Sequence, residues 1–170
     1  MTSTIRHGAR LTAALVLAAT AVNSYLAVVG LDRVLVAMPA WQKAGPLTWA
    51  EFSRYADNGP VALVLYPALA FGGLLLTTAS AVSHHRDKLH PRGAGLPIYL
   101  ALLGTIGGLL ATIKAAANML AVPDLGRDAA GLQMALDNFH FWGNIRAGFQ
   151  VLAFAAGLWA MTEVFGGRTR

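Results

Sequence analysis

Apolar residues run along this chain in four long blocks, and charges mark their edges. No residue between Arg10 and Asp32 is charged, none between Asp57 and Arg86, and none between Arg92 and Lys114. After Lys114 the chain stays uncharged to Asp124. The last block, about 138–165, is interrupted only by Arg146 and, near its end, Glu163. Each block reaches about 20 residues, the length of helix that crosses roughly 30 Å of hydrocarbon. Lipid offers the backbone no hydrogen-bond partners, so the blocks predict helices. The pattern predicts four spans, at about 10–31, 60–83, 95–121 and 139–165. The expected fold class is all-α, an integral membrane four-helix bundle forming one domain over 1–170.

The connections carry their own signals. The stretch 32–59 is a long outer loop with Trp41 and Trp49 in it. Within it, Thr48-Trp49-Ala50-Glu51 matches a capping box and predicts a short amphipathic helix. Trp49, Phe52 and Ala56 fall near one face of that helix, and Asp57-Asn58-Gly59-Pro60 ends it in a turn. A second short helix is expected over 128–137, with Leu132 and Leu136 at i, i+4. Such helices either lie in the interface as anchors or close the outer mouth of the bundle as a lid.

Composition removes whole classes. Apolar residues make up 56% and charged residues 12%, and mean hydropathy is +0.53. A soluble domain carries roughly a quarter charged residues, so this chain has too few to solvate a globule's surface. A disordered chain is excluded by the same shortage. Cysteine is absent, which removes disulfides, thiol relays, cysteine nucleophiles and thiolate metal sites. There is no phosphate loop and no dinucleotide fingerprint. Small residues such as Ala70-Phe71-Gly72-Gly73 and Gly104-Thr105-Ile106-Gly107-Gly108 suit close helix packing in lipid.

The charges also predict an orientation. One side of the four spans holds Arg6, Arg10, Arg86, Lys88, Arg92, Arg168 and Arg170 against Asp87 and Glu163. The other holds Arg33, Lys43, Arg54 and Arg127 against six acidic residues. Basic residues stay inside, so both termini are expected in the cytoplasm and the protein in the cell's inner or plasma membrane. The pI near 10.1 then reflects topology and anionic headgroups, with no nucleic acid needed. The stretch from Arg6 to Ala21 resembles a signal peptide, but its apolar run continues through Val29, beyond the usual length.

Ionisable residues inside spans are costly and usually functional. Here they are Lys114 and Arg146, each about eight residues from an outer span end. Asn23 and Tyr66 fall at a similar depth, so every helix offers a polar group near one level. Lys114 shares a face with Asn118, His140 with Asn144, and Arg146 with Gln150. A pocket lined by these groups would suit an anionic ligand between Lys114 and Arg146. The alternative is that both long side chains snorkel to the interface. His84, His85 and His90 lie in the basic inner loop and read as solvated. His140 has no second histidine at matching depth for a haem. It is a candidate general base, the one candidate metal ligand near the pocket, or an interfacial hydrogen-bonding residue.

The chain resembles the small four-span membrane family that includes the anthrone oxygenases. The strongest segment is Phe139-His140-Phe141-Trp142-Gly143-Asn144-Ile145-Arg146, where the family carries a Trp, a polar His or Asn, then an Arg. Asn118-Met119-Leu120 matches the end of the family's third span. Asp32-Arg33 through Met38-Pro39-Ala40, then Trp49 and Arg54, is similar to its first outer loop. In this chain the histidine precedes the tryptophan, and the last polar position before Arg146 is Asn144. The resemblance implies oxidation of an anthrone-like aromatic substrate by O₂ as co-substrate, with no organic cofactor. Such chemistry needs an apolar, aromatic cavity, a base, and cationic or hydrogen-bonding groups for the enolate. His140, Asn144, Arg146 and Lys114 are the expected catalytic set, and Asn118, Tyr66, Trp142, Asn23 and Trp49 the expected substrate contacts. The other reading is a non-enzymatic membrane protein that binds a lipid or hydrophobic small molecule, or an accessory subunit. A homo-oligomer is compatible with both.

Overall fold

Prolines stand at the starts of the helices, where a missing N–H costs nothing and a fixed φ helps. The computed structural model describes residues 2–87 and 92–166, with side chains from Arg10 onward except that of Arg92. The side chains of Arg6, Lys88, His90, Arg92, Arg168 and Arg170 lie outside the described residues. The first rod is α1 (Thr2–Asp32), a π turn at Arg33–Ala37, and α2 (Met38–Ala44). Then come α3 (Pro46–Tyr55), α4 (Pro60–Arg86), a 3₁₀ turn at Arg92–Ala94, α5 (Gly95–Leu120), α6 (Val122–Leu125) and α7 (Ala129–Gly166). No strand occurs among the described residues.

Four helical stretches, starting at Arg10, Pro60, Gly95 and Ala129, are long and apolar enough to cross a membrane. They form a ring in the order α1, α4, α5, α7, with α5 on α7 the most extensive interface. Glycine makes that approach possible. A Cβ at Gly104 would stand 2.8 Å from the backbone nitrogen of Ala153 and 2.9 Å from the carbonyl of Phe149. The middle of the bundle is tied by side chains. Asn23 Nδ2 donates to Thr77 Oγ1, and Thr105 Oγ1 donates to Asn23 Oδ1, both at 3.4 Å. Each threonine hydroxyl also bonds a carbonyl one turn back on its own helix. This triad joins α1, α4 and α5, the use of polar side chains expected where apolar packing is weak.

One end of the bundle is capped. Met38, Trp49, Ala50, Ala115, Val122, Leu132, Ala135, Leu136 and Phe139 form a buried cluster there. The sequence expectations change in three ways at this end. The stretch 32–59 is not a loop, because the first helix continues to Ala44 through the π turn. Pro39 cannot donate to the carbonyl four residues back, and the wider turn before it relieves the clash. The capping box does not form, since α3 begins earlier, at Pro46 after Gly45 (φ 93°). Thr48 instead donates to the Ala44 carbonyl, and the buried face is Trp49, Ala50 and Ser53, leaving Phe52 and Ala56 exposed. Third, the helix expected over 128–137 is continuous with the last span. No proline interrupts 129–166, and Leu132, Leu136 and Phe139 extend one buried stripe. At the opposite end α4 runs to Arg86, so His84 sits in its last turn rather than in a solvated loop. His84 is buried with its ring edge-on to Tyr99.

Candidate functional site

A cavity of about 90 Å³ lies inside the capped half, and all four long helices reach it. Helical repeat decides which residues arrive. On α7 it is Phe139, Arg146 and Gln150, spaced seven and four apart and so on one stripe. The first rod presents Leu26, Gly30 and Arg33, spaced four and three apart and so also on one stripe. Tyr66 and Ala70 come from α4, and Thr112, Ala116 and Met119 from α5. Asp57 enters from the turn between α3 and α4. That turn is held by Asn58, whose Nδ2 donates to the Ser53 carbonyl at 3.1 Å and to the Met119 carbonyl at 3.4 Å.

The charges are unevenly matched. Arg33 forks onto Asp57, Nη2 to Oδ1 at 2.9 Å and Nη1 to Oδ2 at 3.1 Å. Asp57 is 3% exposed. The Arg33 guanidinium also lies 5.2 Å from the Trp41 ring centroid and 5.8 Å from that of Phe139, within cation–π range. Arg33 is thus paired on its edge and flanked by aromatic rings. Arg146 lies within electrostatic reach of Arg33, Asp57 and Tyr66 but makes neither ion pair nor hydrogen bond among the described residues. Its Nε is buried without a partner, as is Oε1 of Gln150 one turn on. That oxygen packs against Gly30, where a Cβ would collide with it. Two guanidiniums and one carboxylate therefore share a mainly apolar cavity. A buried cation without a counter-ion is costly, and an anion in the cavity would remove that cost.

The nine expected site residues separate. Tyr66 and Arg146 line the cavity together. Lys114 is exposed, because it lies about 200° around α5 from the cavity-facing Thr112 and Ala116. Asn118 donates to the Lys114 carbonyl at 2.8 Å, a bond within its own helix. Asn144, two residues before Arg146, is exposed for the same rotational reason. His140 Nδ1 is 2.8 Å from Gln42 Nε2 and ties α7 to α2. Trp142 packs on the cap cluster, and Trp49, fully buried, stacks beside Phe139 at 5.8 Å between ring centroids. Asn23 is committed to the polar triad, about 15 Å along the helix from Arg33. Among the described residues no three His, Cys, Asp or Glu side chains gather into a metal site.

Arg33 and Asp57, by their sequence positions outer charges that set orientation, both line the cavity. A signal for Arg33 was present. Val34-Leu35-Val36-Ala37-Met38 continues the apolar run past it, so the helix had no reason to end there. Asp57 carried no such signal, since its partner is 24 residues away. Comparison with family models, curated proteins and solved structures finds no match to this chain.

Proposed function

We propose that this is an integral membrane protein that binds a hydrophobic organic anion in the Arg33–Asp57–Arg146 cavity, with the capped end facing outward and both termini in the cytoplasm. The observation that carries the reading is Arg146, a half-buried cation whose Nε is buried without a partner, in a mainly apolar cavity whose one carboxylate among the described lining residues is already held by Arg33. The test is thermal stabilisation of purified protein in detergent by naphthoate and by its methyl ester. The acid raises the melting temperature and the ester does not, and Arg146→Met removes the effect. Equal stabilisation by acid and ester, or an unchanged response in Arg146→Met, would refute it.

A second reading is an oxygenase resembling the anthrone oxygenases. What supports it is that Asp57 and Tyr66 line the same cavity as Arg146, a candidate base and a cation suited to an enolate. O₂ would then oxidise the activated CH₂ to a carbonyl, releasing water. Oxygen uptake with dithranol, lost in Arg146→Met, is its readout. Two or three fused rings exceed a cavity of about 90 Å³, so naphthoate reaches Arg146 with its rings partly outside the cavity, and an anthrone that reacts inside it requires the cavity to widen.

A further inference from the structure

Each wall of the cavity differs in how tightly it is closed. Toward the middle of the bundle the cavity adjoins a smaller one of about 20 Å³, which Asn23 and Thr105 of the triad line. Its roof is Phe139, backed by the buried Trp49 and Met38. The wall between α1 and α7 is sealed by Gly30 against Ala147 and Gln150, and α5 lies against α7 with Gly108 on Gln150 and Ala115 fully buried. The remaining wall is α4, and its capped half is the part of that helix with no buried residue. Every buried residue of α4 lies at Gly73 or beyond, and none between 60 and 72 is buried. Val61 and Val64 are more than 70% exposed. Pro67, in the middle of this stretch, withdraws one backbone hydrogen bond and weakens the helix there.

Size then limits what is bound. A dry cavity of about 150 Å³ accepts benzene. A space of about 90 Å³ takes a carboxylate and a few carbons, and the rest of any larger ligand must leave it. The least buried wall, the capped half of α4, faces sideways, toward the bilayer of the proposed topology. The headgroup must also be slim, because Arg146 lies below the cap and a diacyl lipid cannot bring its glycerol there. One carboxylate of charge −1 matches the single uncompensated guanidinium.

We propose that the ligand is a single-tailed carboxylate amphiphile that enters from the outer leaflet past the capped half of α4, with its carboxylate on Arg146 and its tail lying along residues 63–70. This rests on the reading of the cavity as an anion site and narrows it to a fatty-acid-like ligand and a lateral route.

Photoreactive hexadecanoate with a mid-tail diazirine tests it in proteoliposomes, with insertion mapped by mass spectrometry. Saturable labelling of 63–70 is expected, competed by excess hexadecanoate and absent with the methyl ester of the probe. Arg146→Met lowers it by at least about tenfold, as loss of a charge-assisted contact implies, and Arg146→Lys restores much of it. Restoration by lysine shows that the methionine variant lost a charge and not its fold. Labelling that is insensitive to Arg146→Met, equal for the ester, or centred on 79–86 overturns the proposal. If hexadecanoate does not label but naphthoate still stabilises the protein through Arg146, the single-tail ligand is wrong and the anion site stands. If neither acts through Arg146, both fall.

Discussion

Removing Asp57 and removing Arg33 break the same ion pair, yet they should not cost the same. Asp57→Asn leaves two guanidiniums in one cavity with no carboxylate between them. Breaking a buried pair by deleting one partner costs about 3–5 kcal/mol, because the survivor stays buried and uncompensated. Asparagine keeps one acceptor oxygen for Arg33, which places the expected loss near 3 kcal/mol, or roughly 6–12 °C in melting temperature for a chain of this size. Arg33→Met leaves Asp57 beside Arg146, which is within electrostatic reach and has no other partner. The carboxylate then changes partner. What remains lost is the contact of the guanidinium with the Trp41 and Phe139 rings, about 1–2 kcal/mol. The double variant Asp57→Asn/Arg146→Met removes one of the two unpaired cations and should be more stable than Asp57→Asn alone. Thermal unfolding in detergent, followed by tryptophan fluorescence, reads all three, since Trp41 lies against the Arg33 guanidinium and Trp49 against Phe139. Equal losses for the two single variants, or a further loss on adding Arg146→Met to Asp57→Asn, would show that the charges do not share one site.

Other expectations follow from packing and exposure. Gly104→Ala places a methyl against the α7 backbone at 2.8–2.9 Å, and no flexible side chain can yield there, so it should destabilise by about 1–3 kcal/mol in the same assay. Lys114→Met removes an exposed side chain and should leave stability within about 0.5 kcal/mol and stabilisation by naphthoate intact; loss of that stabilisation would return Lys114 to the site. Asn23→Ala deletes the hub of the polar triad and leaves Thr77 and Thr105 with their own-helix bonds, so a loss of about 1–2 kcal/mol is expected with naphthoate binding retained.

Much of the site lay within reach of the sequence, but only one residue at a time. Arg146 and Tyr66 stood out as polar groups in apolar helices, and Gln150 as the residue one turn from Arg146. Their company did not. Lys114, Asn144 and His140 looked equally good by depth, and depth is what a one-dimensional pattern reports. Rotation about the helix axis separates them, and it follows from which face each helix turns to its neighbours. α7 is apolar on nearly every side, so periodicity offered no preferred face.

Length and charge spacing in the chain alone therefore determined four long apolar helices, because backbone hydrogen bonding and the scarcity of charge leave few other solutions. The bundle's small-residue contacts were equally legible, since Gly104 has value only where a second helix comes close. Only the tertiary structure decided that Arg33 and Asp57 turn inward, that their pairing leaves Arg146 unmatched, and that the half of α4 beside them buries no residue. Those facts depend on contacts between elements far apart in the chain. The chain from Arg33 to Asp57, a separation of 24 residues, runs through a π turn and two short helices, and the direction of each had to be fixed before the two charges could meet.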